Sequence, residues 1–206
     1  VSGDINIDDL KVNQIYLGGF KGNTQTDKLG NITLNATLFG PSADVKLNGN
    51  YNQNKKDALD FVLDITELHV KALQPYMEDI LGNLDGKVNG SLVIKGAADS
   101  PNINGFMALD TLSFKVLQTG AKMGIKNQKI KFDNQKVLFD KFELKDINNQ
   151  KLVMNGEVDI NHLPDFSYDF DINTKEFNLI DSKKDETELF YGKGYFDAKL
   201  NLKGKG

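Results

Sequence analysis

The sequence predicts an all-β chain built on antiparallel strands, with one short amphipathic helix. Three observations predict this. Apolar residues recur at every second position in segment after segment, the period of a strand with one sheltered face. Glycine and proline punctuate these segments at hairpin spacing. Only the stretch Leu73–Leu81 changes to a helical period.

In chain order, Ile5, Ile7, Leu10, Val12 and Ile15 open as one or two strands, broken at Asp8-Asp9. Leu17–Gly22 is expected to be a glycine-rich bend. Ile32, Leu34, Leu38, Val45 and Leu47 continue the alternation, and Tyr51–Lys56 is a polar turn before Phe61, Leu63 and Ile65. Leu73, Tyr76, Met77, Ile80 and Leu81 then fall on one helical face. Pro75 suits the first turn of that helix and Gly82 its end. The expectation is a helix near 73–81 that plugs one end of a β core. A movable or membrane-facing element is the alternative.

The strongest strand signal is Asp85–Leu109. Val88, Gly90, Leu92 and Ile94 alternate with Asn89, Ser91 and Lys95; Gly96–Pro101 reads as a turn, and a second strand starts near Ile103. The glycines of this unit, Gly86, Gly96 and Gly105, repeat Gly30, Gly40 and Gly49 at a constant offset of 56. Gly194–Gly204 is a partial third copy. Repeats of this kind indicate stacked copies of one supersecondary unit.

Leu112, Phe114 and Val116 follow, then a loop at Gln118–Gly124, then Ile130 and Phe132. Val137, Phe139, Phe142 and Leu144 change phase at Asp140-Lys141, the mark of a bulge. Leu152–Ile160 and Phe166–Ile172 alternate cleanly, Phe177 and Leu179 form a short strand, and Asp181–Glu188 reads as a charged, disordered loop. Phe196, Ala198, Leu200 and Leu202 make the last strand. Strands with one apolar face must hide that face. A barrel, a sandwich and an open trough all use the same alternation, so the period alone leaves closure open.

Composition narrows the function classes. The chain has 206 residues, 39% hydrophobic, with a formal charge of −4, and its mean hydropathy is −0.41. That balance fits a structure with much surface for its length. All 25 cationic residues are Lys. Without Arg there is no guanidinium fork for phosphate or base edges, which argues against a nucleic-acid partner. There is no Cys, hence no disulfide frame, thiolate metal site or Cys nucleophile. No apolar run reaches membrane-spanning length, and no signal peptide is visible. The abrupt start at Val1 reads as the edge of a piece of a longer protein.

Motifs for chemistry are sparse. His69 and His162 are far apart, and Ser91, Ser113 and Ser167 have no neighbouring base. Asp169 and Asp171 share a strand face, an arrangement that serves a solvated polar face more simply than a cation site. The glycosylation-like triplets at Asn31, Asn35 and Asn89 fall out of any Asn- and Thr-rich strand. No catalysis and no cofactor are expected.

The second half carries a recognisable order of motifs. Phe114-Lys-Val-Leu-Gln-Thr-Gly120 leads to Ile130-Lys-Phe-Asp133 and Val137–Asp146. Asn148–Gly156, Phe166–Ile172 and Phe190–Gly194 follow. With the Gly86–Gly105 unit, this order resembles the C-terminal region of TamB-like proteins, relatives of the AsmA-like envelope proteins, over Leu63–Gly204. Asn149 departs from the family by standing where glycine is usual, in a turn whose left-handed backbone Asn tolerates. The family also continues beyond the position of Gly204.

The resemblance implies a long sheet curled into an open trough with an apolar lining, in the periplasm of a two-membrane envelope. The parent protein would be anchored in the inner membrane and meet an Omp85-type outer-membrane barrel through parts beyond this sequence. It would assist outer-membrane protein assembly and secretion and inter-membrane phospholipid transport. The implied partners are phospholipid or a hydrophobic polypeptide. Residues 1–62 are then leading strands of the same repeat architecture, and 63–206 the TamB-like β domain, as one continuous unit. Lining candidates in the first repeat unit are Val88, Leu92, Ile94, Met107 and Leu109. Later strands offer Leu152, Met154, Val158, Phe166, Tyr168, Phe170, Ile172, Leu200 and Leu202.

Two other readings remain at this stage. An adhesin-like closed β-sandwich would bind carbohydrate or protein through polar loops, although the absence of Trp counts against sugar stacking. A structural β-repeat spacer would bind nothing.

Overall fold

The computed structural model describes residues 1–12, 15–162, 164–183 and 191–206. The described chain is a run of antiparallel strands. The first five are β1 (Ser2–Val12), β2 (Ile15–Thr26), β3 (Asn31–Gly40), β4 (Ala43–Asn52) and β5 (Leu59–His69). A 3-10 turn (Val70–Leu73) and the four-residue helix α1 (Gln74–Met77) follow. The chain resumes with β6 (Leu81–Asp85), β7 (Lys87–Ala97), β8 (Ser100–Val116), β9 (Lys122–Asp133) and β10 (Lys136–Asp146). It ends with β11 (Lys151–His162), β12 (Asp165–Ser182) and β13 (Gly192–Lys205).

All thirteen strands join one sheet in the order of the chain, except that β6 pairs with the second half of β8. Every pairing is antiparallel. Among the described residues β1 pairs only with β2 and β13 only with β12, so the sheet is not closed into a barrel, and all strands share one continuous sheet rather than the two of a sandwich. The accessible surface bears this out. It is 12900 Å², where a compact monomer of this mass exposes roughly 9,600 Å². The fold is therefore an open antiparallel sheet, consistent with a trough.

The sheet is strongly curved. The tip of the β10–β11 hairpin is flanked on one side by the β8–β9 turn and on the other by the end of β12. In a flat sheet these flanks would lie about 14 Å apart. Here Asp181 N–H donates to the Thr119 carbonyl at 2.9 Å, and Gly120 lies directly against the Asp181 and Ser182 backbone. At the opposite end, β8 and β11 meet over the β9–β10 turn: Gln135 Nε2 donates to Ser100 Oγ (3.0 Å), which donates to Asn161 Oδ1 (3.2 Å).

The densest packing lies at the helical end. Val70, Leu84, Val88, Leu109, Leu112, Ile125 and Phe142 form the buried cluster. Gln74 stands in for a missing strand beside β6. Its Nε2 donates to the Leu81 carbonyl at 2.7 Å and its Oε1 accepts from Leu84 N–H at 2.8 Å.

Several expectations are corrected. The helical segment covers 70–77 rather than 73–81, because Leu81 pairs with Val116 and begins a strand. Its buried residues are Val70 and Ala72. The periodic set points away from the core, with Tyr76 70% and Ile80 60% exposed. Leu17–Gly22 is not a bend but the interior of β2, with a bulge where Gly18 (φ +123°) takes the left-handed backbone. The Gly96–Pro101 turn is only Ala98-Asp99, and Pro101 lies in β8 beyond the point where β9 has turned away. The 118–124 loop is shorter too, since β9 starts at Lys122. Phe177 and Leu179 continue the long β12 through a bulge at Glu176 (φ +51°). Asp181 and Ser182 belong to β12 and Lys183 follows it, while 184–188 of the expected charged loop lie outside the described residues, as does Phe190.

The expected bulge between Phe139 and Phe142 is present, whereas the break expected at Asp8-Asp9 is instead a register shift inside the continuous β1, between Ile7 and Leu10. The glycine echo maps onto the β3–β4 and β7–β8 hairpins, both closed by two-residue turns.

Candidate functional site

The apolar face is built by register. Directly opposed residues in an antiparallel ladder share a face. One transverse row runs Ile5, Gly22, Ala36, Leu47, Leu63 and Leu92 over β1–β5 and β7. It continues as Gly105, Phe132, Val137, Val158, Tyr168 and Gly204 over β8–β13. No charged side chain interrupts it across twelve strands. Towards the helical end a second row holds Ile7, Phe20, Leu38, Val45, Ile65, Gly90, Met107 and Ile130. On the other side a third holds Leu34, Gly49, Phe61, Ile94 and Ile103.

The structure places all fourteen expected lining residues on this face. Val88 and Leu109 oppose each other, as do Ile94 and Ile103. Met154, Ile172 and Leu200 form a row with Phe142. Leu152 pairs with Leu144, and Phe170 lies between Gly156 and Leu202. They are not equally accessible. Val88, Leu92 and Leu109 are buried in the middle of the sheet. Ile94, Met107, Leu152, Met154, Val158, Tyr168, Phe170 and Ile172 are half-buried. Phe166, Leu200 and Leu202 are exposed. The face is thus buried in the middle of the sheet and opens towards its borders.

Aromatic rings make a continuous ribbon on it. Phe142 and Phe139 meet edge to face at 5.3 Å between centroids, and Phe139 and Phe170 do the same at 5.3 Å. Tyr168 stacks on Phe170 at 6.1 Å and Phe166 follows at 6.5 Å. Glycines make room for the rings: Phe61 lies over Gly49, Phe170 over Gly156 and Tyr168 over Gly204. Aromatic cover of a neighbouring strand's glycine is a known device for pinning register.

The other face is polar and satisfied by its own partners. Lys203 meets Asp169 at 2.8 Å, Lys136 meets Glu157 at 2.6 Å, and Lys151 meets Glu143 at 2.9 Å. Lys87 and His69 both reach Glu67 at 2.9 Å. The Lys203 ammonium and the Asn201 amide hold the Asp169 carboxyl below the usual aspartate range. Lys87 and then His69 do the same for Glu67, and Glu157 raises Lys136. Asn201 bridges Asp169 and Asp171 (2.8 and 3.2 Å), so these carboxylates serve the β12–β13 pairing. Ser91 Oγ donates to Asp64 at 2.6 Å. Lysine covers the outward aromatics, with Lys129 Nζ 3.8 Å from the Phe106 ring centre. Among the described residues, no three His, Cys, Asp or Glu side chains converge as metal ligands. Among the same residues, no helix is long and apolar enough to cross a membrane.

The same face also carries Leu47 and Leu63 in the first half and Phe132, Val137 and Phe139 in the second, none of them among the lining candidates. Each lies on an alternating strand, and pairing Leu92 with Leu63 would have found the first two. Phe139 is displaced by the bulge at Lys141 (φ +47°), which hides its face assignment. Searches of protein-family models, of curated proteins and of solved structures each find no match to this chain.

Proposed function

We propose that this chain is a non-enzymatic segment of a TamB-like envelope protein, whose apolar trough shelters lipid acyl chains or the strands of nascent outer-membrane proteins. The observation that carries this reading is the uninterrupted apolar row from Ile5 to Gly204, half-buried over most of its length. A folded monomer rarely leaves a contiguous apolar face of this extent without a partner. Eleven interstrand spacings make the row roughly 53 Å long when flat, against a hydrocarbon core of about 30 Å for a whole bilayer. The trough is long enough to hold successive acyl chains. Each methylene withdrawn from water contributes about 0.8 kcal/mol, and headgroups remain in water at the open side, so no charged pocket is required.

On this reading the segment works in the periplasm. It would belong to an inner-membrane-anchored parent that reaches an Omp85-type barrel and takes part in outer-membrane assembly, secretion and phospholipid transport. An acyl chain slides along a row of aliphatic and aromatic side chains without breaking any polar contact, so movement along the sheet has no specific step to overcome.

The test is native mass spectrometry with lipid extraction on gently purified protein. Co-purifying phospholipid that disappears in Leu47→Asp and Val158→Asp, with strand content intact, supports the reading. Lipid-free protein that also takes up no added phospholipid contradicts it. Leu92 is unsuited to this test, because it is buried and a charge there would unfold the sheet.

A further inference from the structure

We propose that a cleft on the polar face, beside the β4–β5 loop, is a binding site for an extended, β-linked glycan. This does not rest on the lipid reading, because the cleft opens on the face opposite the trough. Its residues come from β3, β4, β5, β7 and β8 and from the β2–β3 and β4–β5 connections, all in the interior of the sheet.

The cleft holds about 750 Å³, within the range of small-ligand sites. Its floor is a transverse row set by register. Thr33 opposes Asn50, Asn50 opposes Asp60, Asp60 opposes Lys95 and Lys95 opposes Asn102. This row lies one residue along from the apolar row of Leu34, Gly49, Phe61, Ile94 and Ile103, so its side chains project the other way. The wall is made by the β2–β3 turn and the β4–β5 loop, which are locked together. Asp27 accepts from Leu29 and Asn31 N–H at 2.8 and 2.9 Å. The Asn31 side chain accepts from the buried Asn52 amide, whose Oδ1 accepts Asn54 N–H at 2.9 Å. Asn54 Nδ2 then reaches back to the Leu29 carbonyl at 3.3 Å. The wall is therefore in place before a ligand arrives.

The chemistry of the floor selects the ligand. Elsewhere the polar face satisfies itself; here hydrogen-bonding capacity is left over. Asn50 Oδ1 accepts from Thr33 Oγ1 at 2.8 Å. The Asn50 amide nitrogen, both ends of the Asn102 amide, the Lys55 ammonium and the Asp57 carboxylate have no side-chain partner among the described residues. Charge is balanced, since Asp60 pairs with Lys95 at 3.2 Å and Lys55 offsets Asp57. Neither a polyanion nor a polycation is favoured. The floor groups repeat at the interstrand spacing of about 4.8 Å, close to the rise of one sugar along an extended β-linked glycan. Five strands span about 19 Å, room for a tetrasaccharide. Sugar hydroxyls both donate and accept, which suits a row that mixes donors with acceptors. Among the described residues no aromatic side chain lines the cleft, so recognition is by hydrogen bonds and not by stacking.

Two-dimensional NMR of the side-chain amides tests this, with cellotetraose and chitotetraose as probes. Maltotetraose, whose α linkage coils the chain, is the control. At least one β-linked probe is expected to shift the Asn50 and Asn102 amide signals saturably and to leave the Asn201 signal, on β13, in place. Maltotetraose is expected to shift none of them. Asn102→Ala removes a side chain with no partner in the fold, so strand content should be unchanged while affinity falls roughly threefold to tenfold.

No shift at Asn50 and Asn102 with either β-linked probe overturns the proposal. So do shifts centred on β12 and β13, equal binding of maltotetraose, or unchanged affinity in folded Asn102→Ala. The shift map is read on the unsubstituted chain, so it decides the question even if the variant fails to fold.

Discussion

The Asp146 carboxylate ties two hairpins together: its Oδ2 accepts the backbone N–H of Asn178, 2.7 Å away and 32 residues later in the chain. Its Oδ1 accepts from Asn148 and Gln150 N–H at 2.8 and 2.9 Å, which shapes the β10–β11 turn. Asp146 and Asn178 are both buried, and Phe177 beside them is 1% exposed. One side chain thus sets the turn and holds β12 over its tip. Charged acceptors contribute about 1.5–3 kcal/mol per bond when a partner is left unpaired, and not additively. Asp146→Ala is expected to cost about 3 kcal/mol in chemical denaturation. Asp146→Asn, which keeps one carbonyl oxygen, should cost less.

Gly105 makes a contrasting prediction with Gly192. Both have left-handed backbones (φ +136° and +128°). A side chain on Gly105 would press into the Ser91 carbonyl of the neighbouring strand, while nothing lies within 4 Å of one on Gly192. Gly192→Ala should cost only the backbone strain, about 1 kcal/mol. Gly105→Ala should cost more than twice that and lower Tm by several degrees, measured by differential scanning calorimetry.

The polar face predicts a shallow acid and alkaline dependence. The carboxyls of Asp169 and Glu67 are held below their ordinary range by Lys203 and Lys87. A depressed folded-state pKa contributes stability above the unfolded value, which is lost as pH falls through the folded one, here from about pH 4 downward. Lys136 and Lys203 are raised by Glu157 and Asp169. Their contribution is present below about pH 10.4 and is lost as pH rises further. These pairs are exposed and screened by salt. Asp169→Asn should flatten the fall of Tm below pH 4 in low salt and leave Tm at pH 7 nearly unchanged in high salt.

Most of the strand architecture was legible because the alternation is local. The bulge at Asp140-Lys141 is visible as a change of phase, whereas the one at Asp8-Asp9 looks like a break because two carboxylates interrupt the alternation. Closure was not legible, since a barrel, a sandwich and an open sheet share one period. The helix was misplaced because Leu73, Tyr76, Met77 and Ile80 keep a helical spacing on a face the core does not use. Leu81 is instead drawn into a strand by β8. Glycine misled at Leu17–Gly22, where Gly18 serves a bulge rather than a turn. The fourteen candidates share one face of the sheet, as the alternation predicts, yet alternation does not distinguish buried Leu92 from half-buried Val158. That difference arises from curvature, which depends on contacts as distant as Thr119 with Asp181.

The central claim, that the apolar face is an open floor that acyl chains occupy, is tested most directly by thiol labelling. The chain has no cysteine of its own. Single cysteines at Val158 on the trough, Lys46 on the polar face and Leu109 in the buried cluster are reacted with a maleimide, with and without phospholipid. The account predicts that Val158→Cys labels readily in lipid-free protein and is protected by phospholipid. Lys46→Cys should label equally in both conditions, and Leu109→Cys slowly in both. Labelling of Val158→Cys as slow as that of Leu109→Cys, or with no protection by phospholipid, would contradict it.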